Sequence, residues 1–196
     1  MSTFEKIITV TGLVIATLTA AIFWKQLSAM KVDSRAWITI SGAVQINQDK
    51  ATGNTSIIFP ASVINSGKTP GKSILSQIVV EIVKNGDSPR FVYDGVPHTV
   101  NSIGILFPHS PAQVQAALLR FNANTATQTE QRPLSTTEYQ ELLDGNSYIA
   151  VYSRTTYNDI FGTEHWDQTC AFTTPSVKPV LLTAKKCSDY NNVDND

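Results

Sequence analysis

Few residues of this chain are of the kinds that carry out reactions, and their spacing builds no known catalytic pattern. The three histidines, His98, His109 and His165, form neither H-x-x-H nor H-E-x-x-H, and none makes a close pair with a cysteine. A zinc site needs three or four such ligands at short spacings, so no metal site is expected, and no cofactor. There is no G-x-S-x-G for a nucleophile elbow and no G-x-G-x-x-G for a dinucleotide. Residues 67–73 (GKTPGKS) fall one residue short of a phosphate-binding loop, and a turn accounts for them better. Catalysis is therefore not expected. His165 stands between Glu164 and Trp166, where strand alternation puts it on one face with Asp167; it is expected to be solvent-facing or half-buried. Lys178, Lys185 and Lys186 form a small basic cluster that the following acidic residues largely cancel, so a solvated face is expected.

The only two cysteines, Cys170 and Cys187, are too few for a disulfide-dense scaffold or a four-cysteine zinc site. Cys170 reads as a small buried residue in mid-strand. A bridge to Cys187 would close a modest loop and put the domain in an oxidising compartment, whereas free thiols favour the cytoplasm; both remain open.

The elements that must position these residues begin with an apolar run. Residues 7–24 (IITVTGLVIATLTAAIFW) contain no charge and no proline. Eighteen helical residues span about 27 Å, close to the roughly 30 Å of a bilayer's hydrocarbon core. Threonine is tolerated there because its hydroxyl reaches a carbonyl one turn back. Phe23 and Trp24 followed by Lys25 make a membrane-interface pattern. A cleaved signal peptide would need a small-x-small site, and Thr19-Ala20-Ala21 runs straight into Ile22-Phe23-Trp24. Gly12, Ala16 and Ala20 share one helical face, a small-residue series suited to packing against another membrane helix or a copy of itself. Residues 25–34 continue as a helical stalk, leaving 1–6 as a short tail. Lys6 precedes the span while Lys25, Lys31 and Arg35 follow it, which by the charge rule puts the C-terminal part in the cytoplasm by a margin of two.

From Arg35 the period changes from helix to strand. Strands are expected from Ala36 to Ile46, over 56–64 with Pro60 at an edge or bulge, over 74–83, at 91–93, 100–107 and 114–121, and as a hairpin from 147–157 and 163–173. Ser135 and Glu138 form a capping box before a short helix that Gly145 stops. Charged residues are 16% of the chain and the net charge is -1, so no basic field attracts nucleic acid, and no internal repeat is visible. Seven or eight short strands without alternating long helices predict an antiparallel, immunoglobulin-like β-sandwich over 35–186, with a polar, disordered tail over 187–196.

Three segments carry a resemblance: Arg35-Ala36-Trp37-Ile38, Asn65-Ser66-Gly67-Lys68-Thr69-Pro70-Gly71, and Tyr157-Asn158-Asp159-Ile160-Phe161-Gly162 followed by Cys170. In order and spacing they resemble uncharacterised bacterial proteins with one or two N-terminal membrane helices and a small β-sandwich. The resemblance implies that fold and a location in the bacterial inner membrane, and it carries no catalytic residue across. Each segment also has a structural role: the second and third in turns, and Trp37 of the first as an interior anchor or a contact at the membrane-proximal end.

These observations describe a mostly-β protein with one spanning helix, whose partners are the lipid bilayer and another membrane or membrane-associated protein, or itself. The expected function is a membrane-anchored interaction module or accessory subunit. An anchored binder of a small ligand or envelope polymer, using exposed Tyr93, Tyr157 and Trp166, is the alternative. An enzyme with a non-standard site would place it in the loop 122–133 or near Asp159.

Overall fold

The structure is a computed structural model that describes residues 3–48, 54–122, 125–176 and 181–194. It separates into an N-terminal helix and a β-domain that begins at Ala36.

The helix, α1 (Thr3–Ser34), is continuous through the stalk segment. From Thr11 to Ser34 it is long and apolar enough to cross a membrane. No polar stripe interrupts it, and Leu13, Ile15, Leu18 and Ile22 are all exposed along its length. Thr17 and Thr19 donate their hydroxyls to the carbonyls of Leu13 and Ile15, one turn back (2.5 and 2.8 Å). The threonines therefore present methyl groups outward and hide their polar atoms in the helix ladder.

The β-domain is antiparallel. One sheet contains β1 (Ile38–Gly42), β2 (Gln45–Gln48), β3 (Thr55–Asn65) and β6 (Pro111–Ala117), with β3 in the middle. β1 and β2 pair with successive parts of β3 in one register, Gly42 opposite Ala61 and Gln45 opposite Ile58. The gap between them lies opposite Phe59 and Pro60. Proline brings no N–H to a ladder, so it is tolerated inside this strand where the pairing is already broken. The second sheet runs β11 (Leu181–Lys186), β10 (Glu164–Ser176), β9 (Ser147–Asn158), β4 (Gly71–Lys84), β5 (Thr99–Leu106), and β12 (Asn192–Val193) joins β10. β7 (Leu119–Asn122) and β8 (Thr125–Gln131) form a separate hairpin.

Both large sheets contribute to one apolar cluster, including Ile38, Ile57 and Val63 from the first and Ile74, Ile78, Ile149 and Val151 from the second. Ile57, Ile74, Ile78 and Ile149 are completely buried, and each such side chain contributes about 2 kcal/mol relative to exposure. The other face of the second sheet carries Val79, Tyr152 and Cys170 under Phe91, Tyr93 and Tyr190. Phe91 stacks on Tyr190 at 4.6 Å and meets Tyr152 edge-on at 5.5 Å. Burial pushes the Tyr152 hydroxyl up to about 12; it donates to Val92 O at 3.0 Å.

The short helix α2 (Thr136–Leu143) has the expected capping box: Glu138 N–H donates to Ser135 Oγ and Ser135 N–H to the Glu138 carboxylate. Arg132 grips that carboxylate with two nitrogens, at 2.9 and 2.7 Å, and holds its pKa down to about 2. The hairpin β9–β10 also forms in the expected region, with Glu164 opposite Asn158.

Four expectations change. There are twelve strands among the described residues rather than seven or eight. Residues 91–93 are not a strand; Phe91 takes a positive φ of 52° and folds over Tyr152. The run 114–121 breaks at Leu118, whose N–H donates to Ile57 O while its carbonyl accepts from Arg132 N–H, so the chain leaves the first sheet there for the β7–β8 hairpin. The segment expected as a disordered tail instead lies along β10 as far as Asp194, with Val193 opposite Asp167. Residues 123–124 of the expected loop and Lys178 of the basic cluster lie outside the described residues.

Candidate functional site

The three sequence motifs meet at one end of the β-domain, where β3, β5 and β9 finish and β1, β4 and β10 begin. Asn65 is the hub. It is fully buried. Its Oδ1 accepts from the N–H groups of Gly67 (2.9 Å) and Trp37 (3.2 Å), and its Nδ2 donates to the carbonyls of Thr69 (2.8 Å) and Leu106 (3.0 Å). One amide thus joins the first motif, the turn of the second, and the end of β5. Ser66 N–H donates to Trp37 O at 2.8 Å, which closes the pair. Gly71 ends the turn where a Cβ would meet the tip of the Ile38 side chain, which would then have to shift. Tyr157, from the third motif, donates its buried hydroxyl to Ala36 O at 3.0 Å.

The third motif also organises a buried acid–histidine–acid row. Asp159 caps its own turn by accepting from Phe161 and Thr163 N–H through Oδ1 (2.8 and 2.9 Å), while Oδ2 lies 3.2 Å from His165 Nε2. The other ring nitrogen, Nδ1, is 2.5 Å from Asp194 Oδ2. The ring is 2% exposed, which corrects the solvent-facing or half-buried position expected for His165. Burial acts to raise the Asp159 carboxyl, but the hydrogen bonds from Thr163, His165 and Phe161 prevail and hold it below the usual range. Asp167 shares a face with His165 as strand alternation requires. Burial, reinforced by the Asp194 charge, lifts its pKa to about 6, against the contact from Thr39 Oγ1 at 3.5 Å.

Both ring nitrogens of His165 lie within hydrogen-bonding distance of a carboxylate oxygen, so both are engaged. With the ring buried as well, the row has the geometry of a tie between the β9–β10 turn and the C-terminal segment. Among the described residues, no group of three or more His, Cys, Asp and Glu side chains is arranged to hold a metal ion. His98 lies elsewhere, its Nδ1 3.0 Å from Val96 O, and His109 sits exposed after β5 with φ of 61°.

Around this tied scaffold the surface carries four exposed large apolar side chains. Ile105 and Phe107 at the end of β5, and Ile160 and Phe161 in the β9–β10 turn, are exposed by 54%, 60%, 42% and 47%. Lys68 and Lys72 are exposed at the same end.

The cysteines are bridged: Cys170 and Cys187 form a disulfide with Cα atoms 5.4 Å apart, and Cys187 N–H donates to Cys170 O. The bridge pins the start of the C-terminal segment to β10 just before Tyr190 enters the aromatic cluster. On α1, Gly12, Ala16 and Ala20 lie on one face with open space beside Gly12, and Phe23, Trp24 and Lys25 follow. Of the aromatics considered for ligand binding, Tyr157 is buried and Tyr93 is held in the aromatic cluster, so they do not form one exposed patch.

Sequence reasoning missed the row because Asp194 is 29 residues from its histidine. Alternation placed His165 beside Asp167 but gave no sign of the partner strand. Compared with protein-family models, curated proteins and solved structures, the chain matches none.

Proposed function

We propose that this chain is a single-pass protein of the bacterial inner membrane whose β-domain, an immunoglobulin-like sandwich, is an interaction module or accessory subunit that binds another protein without catalysing a reaction. The observation that carries this reading is the apolar rim of Ile105, Phe107, Ile160 and Phe161 around a scaffold whose polar groups are internally tied. Apolar side chains grouped on a surface mark interaction sites. The core shared by two antiparallel sheets supports the sandwich, and the meeting of the three motifs supports the bacterial family they resemble. Gly12, Ala16 and Ala20 give α1 a face for a second helix.

The Cys170–Cys187 bridge favours an oxidising compartment for the domain, and in this proposal it outweighs the two-residue margin in Lys and Arg. A second reading, a ligand binder, is favoured by a cleft of about 340 Å³ beside the disulfide, lined by apolar Phe59 and Val151 together with polar Ser153, Thr169 and Lys186.

A photo-crosslinking amino acid at Phe107 of the full chain, in cells, tests the interaction. A discrete protein adduct that Phe161→Asp at the other rim position removes is expected; adducts with lipid alone, or none, would overturn it. Labelling of intact cells with a membrane-impermeant thiol reagent tests the side. Reaction only after reduction is expected, and reaction only after lysis would return the domain to the cytoplasm.

A further inference from the structure

β4 outruns its neighbour. β5 pairs with it only as far as Thr99 opposite Ile78, yet β4 continues to Lys84 with β9 still paired on its other side. The continued register would set Pro97 opposite Val80. Proline has no N–H to give the Val80 carbonyl, so the β5 ladder cannot extend in that direction.

The direction of the vacated main-chain groups follows from the pairing. Asn85 N–H donates to Asn146 O at 2.8 Å, and these residues continue the register of β4 with β9. Antiparallel pairs alternate between bonded and non-bonded positions. Val83, Glu81 and Val79 therefore bond to β9, and Ile82 and Val80 point their N–H and C=O groups away from it. In agreement, the Lys84 carbonyl on that side accepts from Asp87 N–H. Among the described residues, no strand pairs with 79–84 there. The space they face is a cleft of about 360 Å³, lined also by Ser88, Arg90, Pro97, Leu118, Leu119 and Arg132.

We propose that this cleft is a peptide-binding site, which takes an extended segment of another protein as an added strand of the sheet. The chemistry specifies the occupant. N–H and C=O groups repeating about every 6.7 Å along an edge match the main chain of an extended peptide, and strand addition is an established mode of recognition. The walls set its side-chain pattern. Leu118 belongs to the core side of the sheet, so residues of the added strand facing that way are apolar. Arg90, bound to Glu81 at 2.9 Å, stands on the opposite side with Ser88 and Asp87, so the alternate residues are polar. This site is separate from the apolar rim and does not depend on it.

Hydrogen exchange on the full chain in detergent micelles tests the edge first. The amides of Val80 and Ile82 are expected to exchange roughly 100-fold faster than those of Val79, Glu81 and Val83; equal protection of the two sets would overturn the proposal. A displayed library of short random peptides, selected on the full chain, then supplies the probe. A selected peptide is expected to slow exchange at Val80 and Ile82, and to lose at least about tenfold in affinity when alternate peptide nitrogens are methylated. Leu119→Trp, which fills the cleft from a half-buried position, is expected to abolish binding without lowering the unfolding midpoint. Selected peptides that leave Val80 and Ile82 exchange unchanged, or bind the Leu119→Trp protein equally well, would show that no strand is added here.

Discussion

The two ends of β4 meet opposite fates. At its start, Asn65 and Asp159 capture the main-chain groups that the turns leave behind, and Gly71 leaves room for the Ile38 side chain. At its far end, Pro97 stops the neighbouring strand early, and the main chain of 79–84 faces a cleft. Asparagine and aspartate at turns seal an edge, because their short side chains stand in for missing backbone partners. A proline opposite an interior strand leaves it open. On this reading, the sealed end is where the fold is held, and the open end is where main chain remains available.

The sharpest way to break that contrast is Asn65→Ala. It strands four polar partners in a buried place and is expected to cost about 4 kcal/mol, measured by denaturant unfolding of the solubilised chain. A loss below about 1 kcal/mol would show that Asn65 is not the hub. Replacing both Cys170 and Cys187 by serine is expected to cost about 3 kcal/mol, the entropy of the loop they close. The same change should loosen Tyr190 from Phe91, which the near-ultraviolet dichroism of the cluster would report. Asp159→Asn is a smaller and pH-dependent perturbation of the sealed end, about 2 kcal/mol at neutral pH. A carboxyl held low in the folded state contributes stability that is complete above the ordinary carboxylate pKa and lost as pH falls through the lower folded value. The variant should therefore show a shallower acid limb in the unfolding profile, with the part due to Glu138 remaining.

At the open end, Pro97→Val restores the N–H opposite Val80. A gain of about 0.5–1 kcal/mol, with slower exchange at Val80, is expected; unchanged exchange would mean that something other than the proline halts β5. The smallest effect is that of Asp167→Asn. With its folded pKa raised to about 6, Asp167 penalises the folded state above that value, and the penalty is relieved as pH falls toward the ordinary carboxylate range. The variant should equal or slightly exceed the parent in thermal midpoint at pH 7.5, and lack the parent's relative gain on acidification to pH 5.

Local physics explains which of these features were legible in the sequence. The apolar helix, the capping box at Ser135 and the hairpin from Ser147 to Ser176 depend on neighbours within a few residues, and periodicity reveals them. Phe91 and Tyr93 misled because aromatic residues favour strands, whereas here they cover a sheet face. The pairing of Asn192 and Val193 with β10 was hidden for the opposite reason: a polar run carries no strand signal, and its hold comes from Asp194 reaching a histidine far back in the chain. Two of the motif segments were visible as turns and the first as the start of a strand, but their meeting at this end depends on topology that spacing does not encode.

The C-terminal segment has a consequence in time as well as in space. A growing chain makes Tyr152 and the rest of β9 well before Tyr190, so the face that Tyr190 covers is synthesised bare. The β9–β10 hairpin can form as soon as its second strand is made. The aromatic cover, the Cys170–Cys187 bond and the Asp194–His165 contact must all wait for residues that come later. Completion of this domain is therefore a late event in its synthesis. During that interval an aromatic surface and the Cys170 thiol are uncovered and open to chaperones.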